Sequence, residues 1–141
     1  VKHPPGTVVL SRDAGIGKSA ILADVMAVSQ HFMAWRAGEN MNHFYLYYWM
    51  QHEKPRFEAI AMGSTIKTIG LPFFRKLRIA LPPKTEQDFA AKSLLSMDRR
   101  LFGLKDDLAK LRTLKTGLMQ DLLTGKVRVN VDETEEVTAN V

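Results

Sequence analysis

The segment Gly15-Ile16-Gly17-Lys18-Ser19 has the residue types and spacing closest to a catalytic site, because it ends like the phosphate-binding loop of an ATPase. That loop requires Gly-x-x-x-x-Gly-Lys-Ser/Thr between a strand and a helix. Arg12 occupies the position of the first glycine, and no aspartate closes a downstream hydrophobic strand to hold magnesium. The segment therefore favours a tight turn between two strands, with an ATPase as the less favoured alternative.

Signals of other chemistry are absent from the sequence. Leu81-Pro82-Pro83-Lys84 lacks the amide or acid and the aromatic residue of an amino-methyltransferase, and no paired carboxylates and lysine stand at nuclease spacing. Because there is no cysteine, disulfides and cysteine-based zinc sites are excluded. The histidines are scattered, so solvated or core roles are favoured over metal binding for His3, His31, His43 and His52. We predict a non-catalytic chain with no cofactor and no metal site.

Charge is distributed unevenly along the chain. The formal net charge is +5, yet the tail has no base and holds four acids, Asp132, Glu133, Glu135 and Glu136. The rest of the chain therefore carries +9. A basic body with an acidic tail suggests a polyanionic partner, most commonly nucleic acid. A merely soluble basic protein is the alternative that charge alone leaves open.

Pattern divides the 141 residues into three regions and predicts an α+β fold. Residues 1–83 mix strand and helix signals, residues 84–129 contain one long helix, and residues 130–141 are acidic and polar, which predicts disorder. A strand-like segment so close to the first residue predicts further sequence upstream. No apolar run reaches the ~20 residues of a membrane helix, and the lack of cysteine suits the cytoplasm.

Short strands are predicted around the glycine-rich turn. The β-rich apolar runs 6–12 and 18–22 predict two strands joined by the turn 13–17. Alternating residues in 26–37 predict another strand, and residues 75–83 predict a strand closed by two prolines.

Two short helices are predicted between these strands. Residues 42–53 carry aromatics at helical spacing, Asn42 is a possible N-cap, and one buried face is predicted to hold Phe44, Tyr47 and Tyr48. Stacking of nucleobases is the alternative for those rings, but core packing is favoured because they share one helix. Residues 55–65 predict a short helix that ends at Gly63.

The long helix has the clearest pattern in the sequence. Thr85 is a predicted N-cap with Asp88 three residues on, and Gly125 is a predicted C-cap. A three-four apolar spacing, interrupted at Lys115, defines a stripe of Leu94, Met97, Leu101, Leu104, Leu108, Leu111, Leu118 and Leu122. Such a stripe predicts a coiled-coil seam. A lone helix of roughly 55 Å is marginal, so we expect a partner helix from the same subunit or from a second copy.

Two segments of the chain resemble the specificity (S) subunit of type I restriction-modification enzymes. The family's Pro-Pro-x-x-Glu-Gln helix start is matched by Pro82, Pro83, Glu86 and Gln87. Its ending, Leu-Met-Gln-x-Leu-Leu-Thr-Gly-Lys-x-Arg-Val, is matched over 118–129. Upstream, Ser11-Arg12, the 15–18 segment, 27–30, 44–48 and 63–65 follow in the order of that family's target recognition domain.

The resemblance implies a non-catalytic reader of double-stranded DNA. In this family two target recognition domains each read half of a split DNA sequence, and two long helices pair antiparallel. The helices set the spacing of the half-sites and dock the methyltransferase (M) subunits, through which the motor-nuclease (R) subunit joins. The resemblance thus implies part of a recognition domain over 1–83 and one spacer helix over 84–129.

DNA contacts are expected from the turns of the first region. Phosphates attract lysine and arginine, whereas base edges are read by arginine on guanine and by glutamine or asparagine on adenine. We expect the 11–18 and 63–67 loops to face DNA together. The candidate residues are Ser11, Arg12, Lys18, Ser64, Thr65, Lys67, Arg75 and Lys76. For each of them singly, a solvated surface role is the alternative. A further alternative for the whole chain is a helical assembly module that dimerises and binds DNA without sequence preference.

Overall fold

The computed structural model describes residues 1–129, and the tail that we predict to be disordered lies outside the described residues. Contacts divide the chain into two compact units, the first from Val1 to Met97 and the second beginning at Asp98. The mixed α+β architecture agrees with the predicted fold class.

Residues 1–129 contain five short strands: β1 (Lys2–His3), β2 (Val8–Ser11), β3 (Ser19–Ile21), β4 (Met26–Ala27) and β5 (Phe32–Trp35). All pairs are antiparallel; β1 pairs with β4, and β2 lies between β3 and β5. Every residue of β2 is buried, which suits an apolar run at the centre of a sheet. The register Val8↔Ile21 and Leu10↔Ser19 confirms the predicted strand, turn and strand.

Within the described residues, four helices follow the strands: α1 (His43–His52), α2 (Lys54–Ile60), α3 (Leu71–Lys76) and α4 (Lys84–Leu123). The predicted cap of α1 is confirmed, because Asn42 Oδ1 accepts hydrogen bonds from the amides of Phe44 at 2.8 Å and Tyr45 at 3.1 Å. The short helix predicted in 55–65 is confirmed as α2. It has proline in its first turn, where the missing N–H costs no helical hydrogen bond.

Two strand predictions are wrong. Residues 26–37 form two strands, because a turn in which the Phe32 amide donates to the Ser29 carbonyl at 3.1 Å breaks the extended run. In the predicted strand 75–83, the first two residues belong instead to the last turn of α3. That helix begins after Gly70 and has Pro72 in its first turn. Beyond α3 the chain is extended without a strand partner, and Leu77 and Ile79 pack against the core.

The aromatic face of α1 is only half-buried, so the prediction of a fully buried face is wrong in part. The buried residues of α1 are Leu46 and Met50. Tyr47 is partly buried and packs against the core, and its ring centroid lies 5.1 Å from that of Tyr48. The core itself joins the central strand to all three short helices through Val8, Leu10, Ile16, Leu46, Met50, Phe57, Ile69 and Phe74.

The long helix α4 is confirmed, although its predicted N-cap is wrong. The carbonyl of Pro83 accepts hydrogen bonds from the amides of Glu86 at 2.9 Å and Gln87 at 3.1 Å, so Thr85 already lies inside the first turn. At the other end Gly125 has a φ of 70° and its amide donates to Leu122, as a glycine C-cap does. Helix α4 begins at Lys84, and the first compact unit continues along it to Met97. The division of the chain at residues 83 and 84 stays a prediction.

The apolar stripe of α4 is exposed. Its eight side chains, Leu94, Met97, Leu101, Leu104, Leu108, Leu111, Leu118 and Leu122, are each between 43% and 63% accessible to solvent. Isolated exposed leucines are ordinary, but a regular row of them along one helix is the surface that coiled coils bury. None of the helices within 1–129 combines the length and the apolar composition that a bilayer crossing demands.

Candidate nucleic-acid interface

The turn between β2 and β3 is built from two glycines and one buried serine. Gly15 and Gly17 have φ values of 93° and 77°, a region that other residues rarely adopt. The Ser11 hydroxyl is buried and donates to the carbonyls of Asp13 at 3.2 Å and Ala14 at 3.4 Å. Ser11 therefore stabilises the turn from within the protein, and its contact with DNA stays a prediction.

Gly17 also allows the turn to lie against α2. A Cβ atom on Gly17 would lie 2.7 Å from Cγ of Lys54, in the first turn of that helix. The glycine thus serves a close contact within the protein. Because Ser19 begins a strand and no helix follows Lys18, the strand-to-helix geometry of a phosphate-binding loop is absent. Residues 15–19 therefore do not form a phosphate-binding loop, the motif on which the ATPase alternative rested.

The loop 62–68 has a closed, tight shape. The amide of each of Met62 and Thr68 donates to the other's carbonyl, at 3.0 and 2.8 Å. Gly63 has a φ of 134°, and a Cβ there would lie 2.3 Å from the carbonyl oxygen of Ile66. Only glycine fits at this position, so Gly63 fixes the loop rather than simply ending a helix.

Hydrogen bonds join this loop to the β2–β3 turn. The carbonyl oxygen of Arg12 accepts from the amide of Ile69 at 2.8 Å and from the hydroxyl of Thr68 at 3.3 Å. The two loops that we expected to act together are therefore neighbours, although 56 positions separate Arg12 from Thr68 in the chain.

The two loops and α2 enclose an open cleft of about 580 Å³, which we call the loop cleft. Its lining combines hydroxyl, cationic, anionic and apolar groups. The lining residues are Asp13, Ala14, Gly15, Ile16, Glu58, Thr65, Ile66 and Lys67. A mixed cleft between two loops suits the recognition of a ligand that presents both charge and hydrogen-bonding edges.

Besides Ser11, five of the predicted site residues lie on the two loops. Thr65 and Lys67 line the loop cleft. Ser64 and Lys18 are exposed on the same two loops, and the aliphatic part of Lys18 lies over Gly15. Arg12 is half-buried, and its Nε has no hydrogen-bond partner among the described residues.

The remaining candidates lie elsewhere. Arg75 and Lys76 are exposed in the last turn of α3 and do not line the loop cleft. Their position at the C-terminal end of a helix is electrostatically favourable for a cation without any ligand.

Six of the eight residues that line the loop cleft are not among the predicted site residues, and three of them have side chains that bear on ligand binding. Asp13, Glu58 and Ile66 line it beside Lys67, and Ile66 is 66% exposed. Nothing in the local sequence marks Glu58, which faces the cleft only because α2 packs on the β2–β3 turn through Gly17. The side chain of Asp13 contacts His31, and Nδ1 of His31 lies 2.6 Å from Oδ2 of Asp13.

Gln87 joins the first turn of α4 to the start of α1, a role that the family pattern alone did not predict. Its side chain is fully buried. Its oxygen accepts from the amide of Asn42 at 2.9 Å, and its nitrogen donates to the carbonyls of Asn40 at 2.9 Å and Pro82 at 2.8 Å. We call this set of bonds the Gln87 clamp.

Asp88 extends the clamp at the surface. One of its oxygens accepts from Lys84 Nζ at 2.5 Å and from Asn42 Nδ2 at 2.6 Å. The hydrogen bond from Lys84 has the larger effect. Together with the bond from Asn42, it lowers the pKa of Asp88 below its ordinary value of 3.8. Asn42 therefore donates to both Gln87 and Asp88. The cap of α1 and the start of α4 thus form one hydrogen-bonded unit.

A family model matches most of the chain. The Type I restriction modification DNA specificity domain matches residues 1–111. The chain therefore belongs to this family, and the resemblance drawn from Pro82, Pro83, Glu86 and Gln87 is confirmed. No group of three histidine, cysteine or carboxylate side chains within 1–129 is placed to hold a metal ion.

Curated relatives come from the same class of protein. The chain is 31% identical over 91 residues to a protein named as the type I restriction enzyme MjaX specificity subunit of Methanocaldococcus jannaschii. It is 26% identical over 109 residues to the MjaVIII specificity subunit of the same organism. These matches cover 64% and 77% of this chain but 21% and 24% of the relatives. The chain thus corresponds to between a fifth and a quarter of their length.

Solved structures share the fold. A structure of the type I R-M system matches with a TM-score of 0.68 at 21% identity, covering 85% of this chain and 31% of the other. The S subunit from M. genitalium matches at 0.66 and 21% identity, covering 84% and 32%. The HsdS subunit from Thermoanaerobacter tengcongensis matches at 0.65 and 20%, covering 85% and 30%. Most of this chain thus shares the fold of about a third of each of these proteins.

Proposed function

We propose that this chain recognises the sequence of double-stranded DNA as part of the specificity subunit of a type I restriction-modification system. Membership of the DNA specificity domain family supports the class of ligand. The positive charge of the chain outside its acidic tail supports a polyanionic ligand. In this proposal the chain contacts DNA, and the methyltransferase and motor-nuclease subunits perform the chemistry.

The single observation that best supports DNA recognition is the pairing of the 11–18 and 63–67 loops around the loop cleft. Lys67 and Thr65 line it, and Arg12 and Lys18 stand on the adjoining turn. Cations on two joined loops can neutralise neighbouring phosphates, which fixes the position of the protein on the duplex. Groups between the cations then reach the base edges, which supply the sequence preference.

The exposed stripe of α4 supports a second part of the proposal, in which the helix is an assembly surface. The apolar side chains of the stripe stay exposed along a helix of 40 residues. We infer that the stripe packs against a partner helix, sets the spacing between half-sites and leaves the Leu118–Val129 end to contact a methyltransferase subunit.

Removing cations from the two loops tests the DNA proposal. We expect Arg12→Ala and Lys67→Ala each to weaken binding of a labelled duplex and to reduce the salt dependence of the affinity by about one unit of slope per lost phosphate contact. The measurement is a fluorescence anisotropy titration of the full chain at several salt concentrations, in the presence of methyltransferase subunits.

Lys92→Ala is the matched control, because Lys92 is an exposed lysine of the first unit that lies on α4 away from the loop cleft. It should leave the slope at the wild-type value. Unchanged affinity and slope in both loop variants would contradict the proposed interface. A helical module that binds DNA without sequence preference is the remaining alternative, and competition with unrelated duplex separates it from a specific reader.

A further inference from the structure

The loop cleft contains an acidic side chain that DNA binding through phosphates does not explain. Glu58 lies on α2, its side chain is 54% exposed, and it lines the cleft together with Lys67. A carboxylate near the phosphate backbone is repelled by it, so a carboxylate in a DNA-facing cleft weakens binding unless it accepts a hydrogen bond.

The two carboxylates of the loop cleft differ in how far they are committed within the protein. Oδ2 of Asp13 is held by His31 at 2.6 Å, its Oδ1 is buried without a partner among the described residues, and the side chain is only 17% exposed. Glu58 has a looser ion pair, with Lys54 Nζ 3.5 Å from Oε1, which is longer than an ordinary hydrogen bond. Glu58 is therefore the carboxylate that can turn toward a ligand.

The donors that DNA offers in the major groove are few. Cytosine presents its N4 amino group and adenine its N6 amino group. Adenine N6 stands beside the acceptor N7, which repels a second acceptor, whereas cytosine N4 stands beside a C–H edge. A carboxylate consequently discriminates in favour of cytosine, while guanine and thymine present acceptors that it cannot satisfy.

We propose that Glu58 is a specificity-determining residue that accepts a hydrogen bond from the N4 amino group of a cytosine in the major groove. Its neighbours suit this role. Lys54 and Lys67 offset the repulsion between Glu58 and the phosphates, and the exposed Ile66 offers an apolar contact to the C5 edge of a pyrimidine. The target half-site then contains a C·G pair at the position opposite the loop cleft.

This inference rests on the proposed function and is tested by comparing the sequences that variants select. The full chain, together with methyltransferase subunits, is incubated with a pool of random duplexes, and the bound duplexes are sequenced. Wild-type protein should enrich a half-site with one cytosine that depends on Glu58. Glu58→Gln should change that position to adenine, because an amide pairs with adenine N6 and N7, and leave the other positions unchanged.

Two further variants sharpen the comparison. Glu58→Ala should lose the preference at that position without gaining a new one. Glu86→Gln makes the same chemical change on an exposed glutamate in the first turn of α4 and should select the wild-type sequence. Changing the cytosine to thymine should weaken wild-type binding about 10- to 100-fold, as expected for one lost base contact, and should not weaken binding by Glu58→Ala.

Three results would overturn the inference. One is a Glu58→Gln variant that selects the wild-type sequence at every position. Another is a variant that binds all duplexes more tightly by the same factor, since Glu58 would then only repel phosphates. The third is a wild-type protein that enriches no sequence. Only this third result, with unchanged salt slopes for Arg12→Ala and Lys67→Ala, also contradicts the proposed function.

Discussion

At the scale of single residues, Gln87 is a fully buried polar side chain whose oxygen and nitrogen are both hydrogen-bonded. Three backbone groups, on Asn40, Asn42 and Pro82, bond to its side chain. No charge is involved, so the clamp holds α4 against the start of α1 without the desolvation cost of a buried ion pair. The glycines act differently, since Gly17 and Gly63 permit contacts in which any side chain would collide.

Replacing Gln87 by leucine should destabilise the first unit. Leucine has a similar size, but it removes the partner of the Asn42 amide and of the Asn40 and Pro82 carbonyls, at about 1–3 kcal/mol for each of these groups that water cannot reach. We expect a loss of about 2 to 4 kcal/mol in the free energy of unfolding. Denaturant unfolding followed by tryptophan fluorescence measures it, because Trp35 and Trp49 both lie in this unit.

The matched control is Gln51→Leu, which makes the same change on an exposed glutamine of α1. It should stay within about 0.5 kcal/mol of wild type, as surface substitutions usually do. If Gln87→Leu unfolds at the same denaturant concentration as Gln51→Leu, the Gln87 clamp does not stabilise the fold.

Among the elements, α4 was predicted best because its pattern extends over many residues. The spacing from Leu94 to Leu122 and the glycine at residue 125 were sufficient to define it. The short elements were predicted less well. Residues 26–37 alternate like one strand, but the Ser29–Phe32 turn is local hydrogen bonding that alternation does not reveal.

The candidate site was predictable only in part, for a related reason. Glycine and basic residues marked the two loops, so Lys18, Thr65 and Lys67 could be named from sequence. Glu58 could not, because it reaches the loop cleft through the packing of α2 on Gly17, a contact between segments that are distant in the chain. Ser11 looked like a ligand-binding serine, yet its burial is decided by the central position of β2.

Placing charge on the stripe of α4 tests the element's proposed role. Leu104→Asp combined with Leu108→Asp should abolish pairing with a partner helix, because an unpaired carboxylate is costly in an apolar seam. Light scattering should then give the mass of one 15.9 kDa chain.

Ala109→Asp combined with Thr113→Asp is the control for this pair, since it has the same spacing on the same helix but lies off the stripe. It should keep the wild-type mass. A Leu104/Leu108 double variant with unchanged mass and unchanged melting temperature would show that the stripe is not the pairing surface.

At the scale of the whole molecule, a mixed α/β unit is proposed to read bases, and a long helix is proposed to position it. The family model matches residues 1–111 and thus includes both the loop cleft and much of α4. The relatives are four to five times longer than the matched segment. Complete recognition of a split site therefore rests, in this proposal, on a second recognition unit together with the one described.

The most direct test of the central claim is a competition measurement on the full chain with methyltransferase subunits. A labelled duplex that carries the selected half-site is bound first, and unlabelled duplex of unrelated sequence is then added. A specific reader should retain the selected duplex until the unrelated one is in an excess of about 10³-fold or more, the usual lower bound for specific DNA binding. Displacement at an equal concentration of unrelated duplex would contradict the claim that this chain reads DNA sequence.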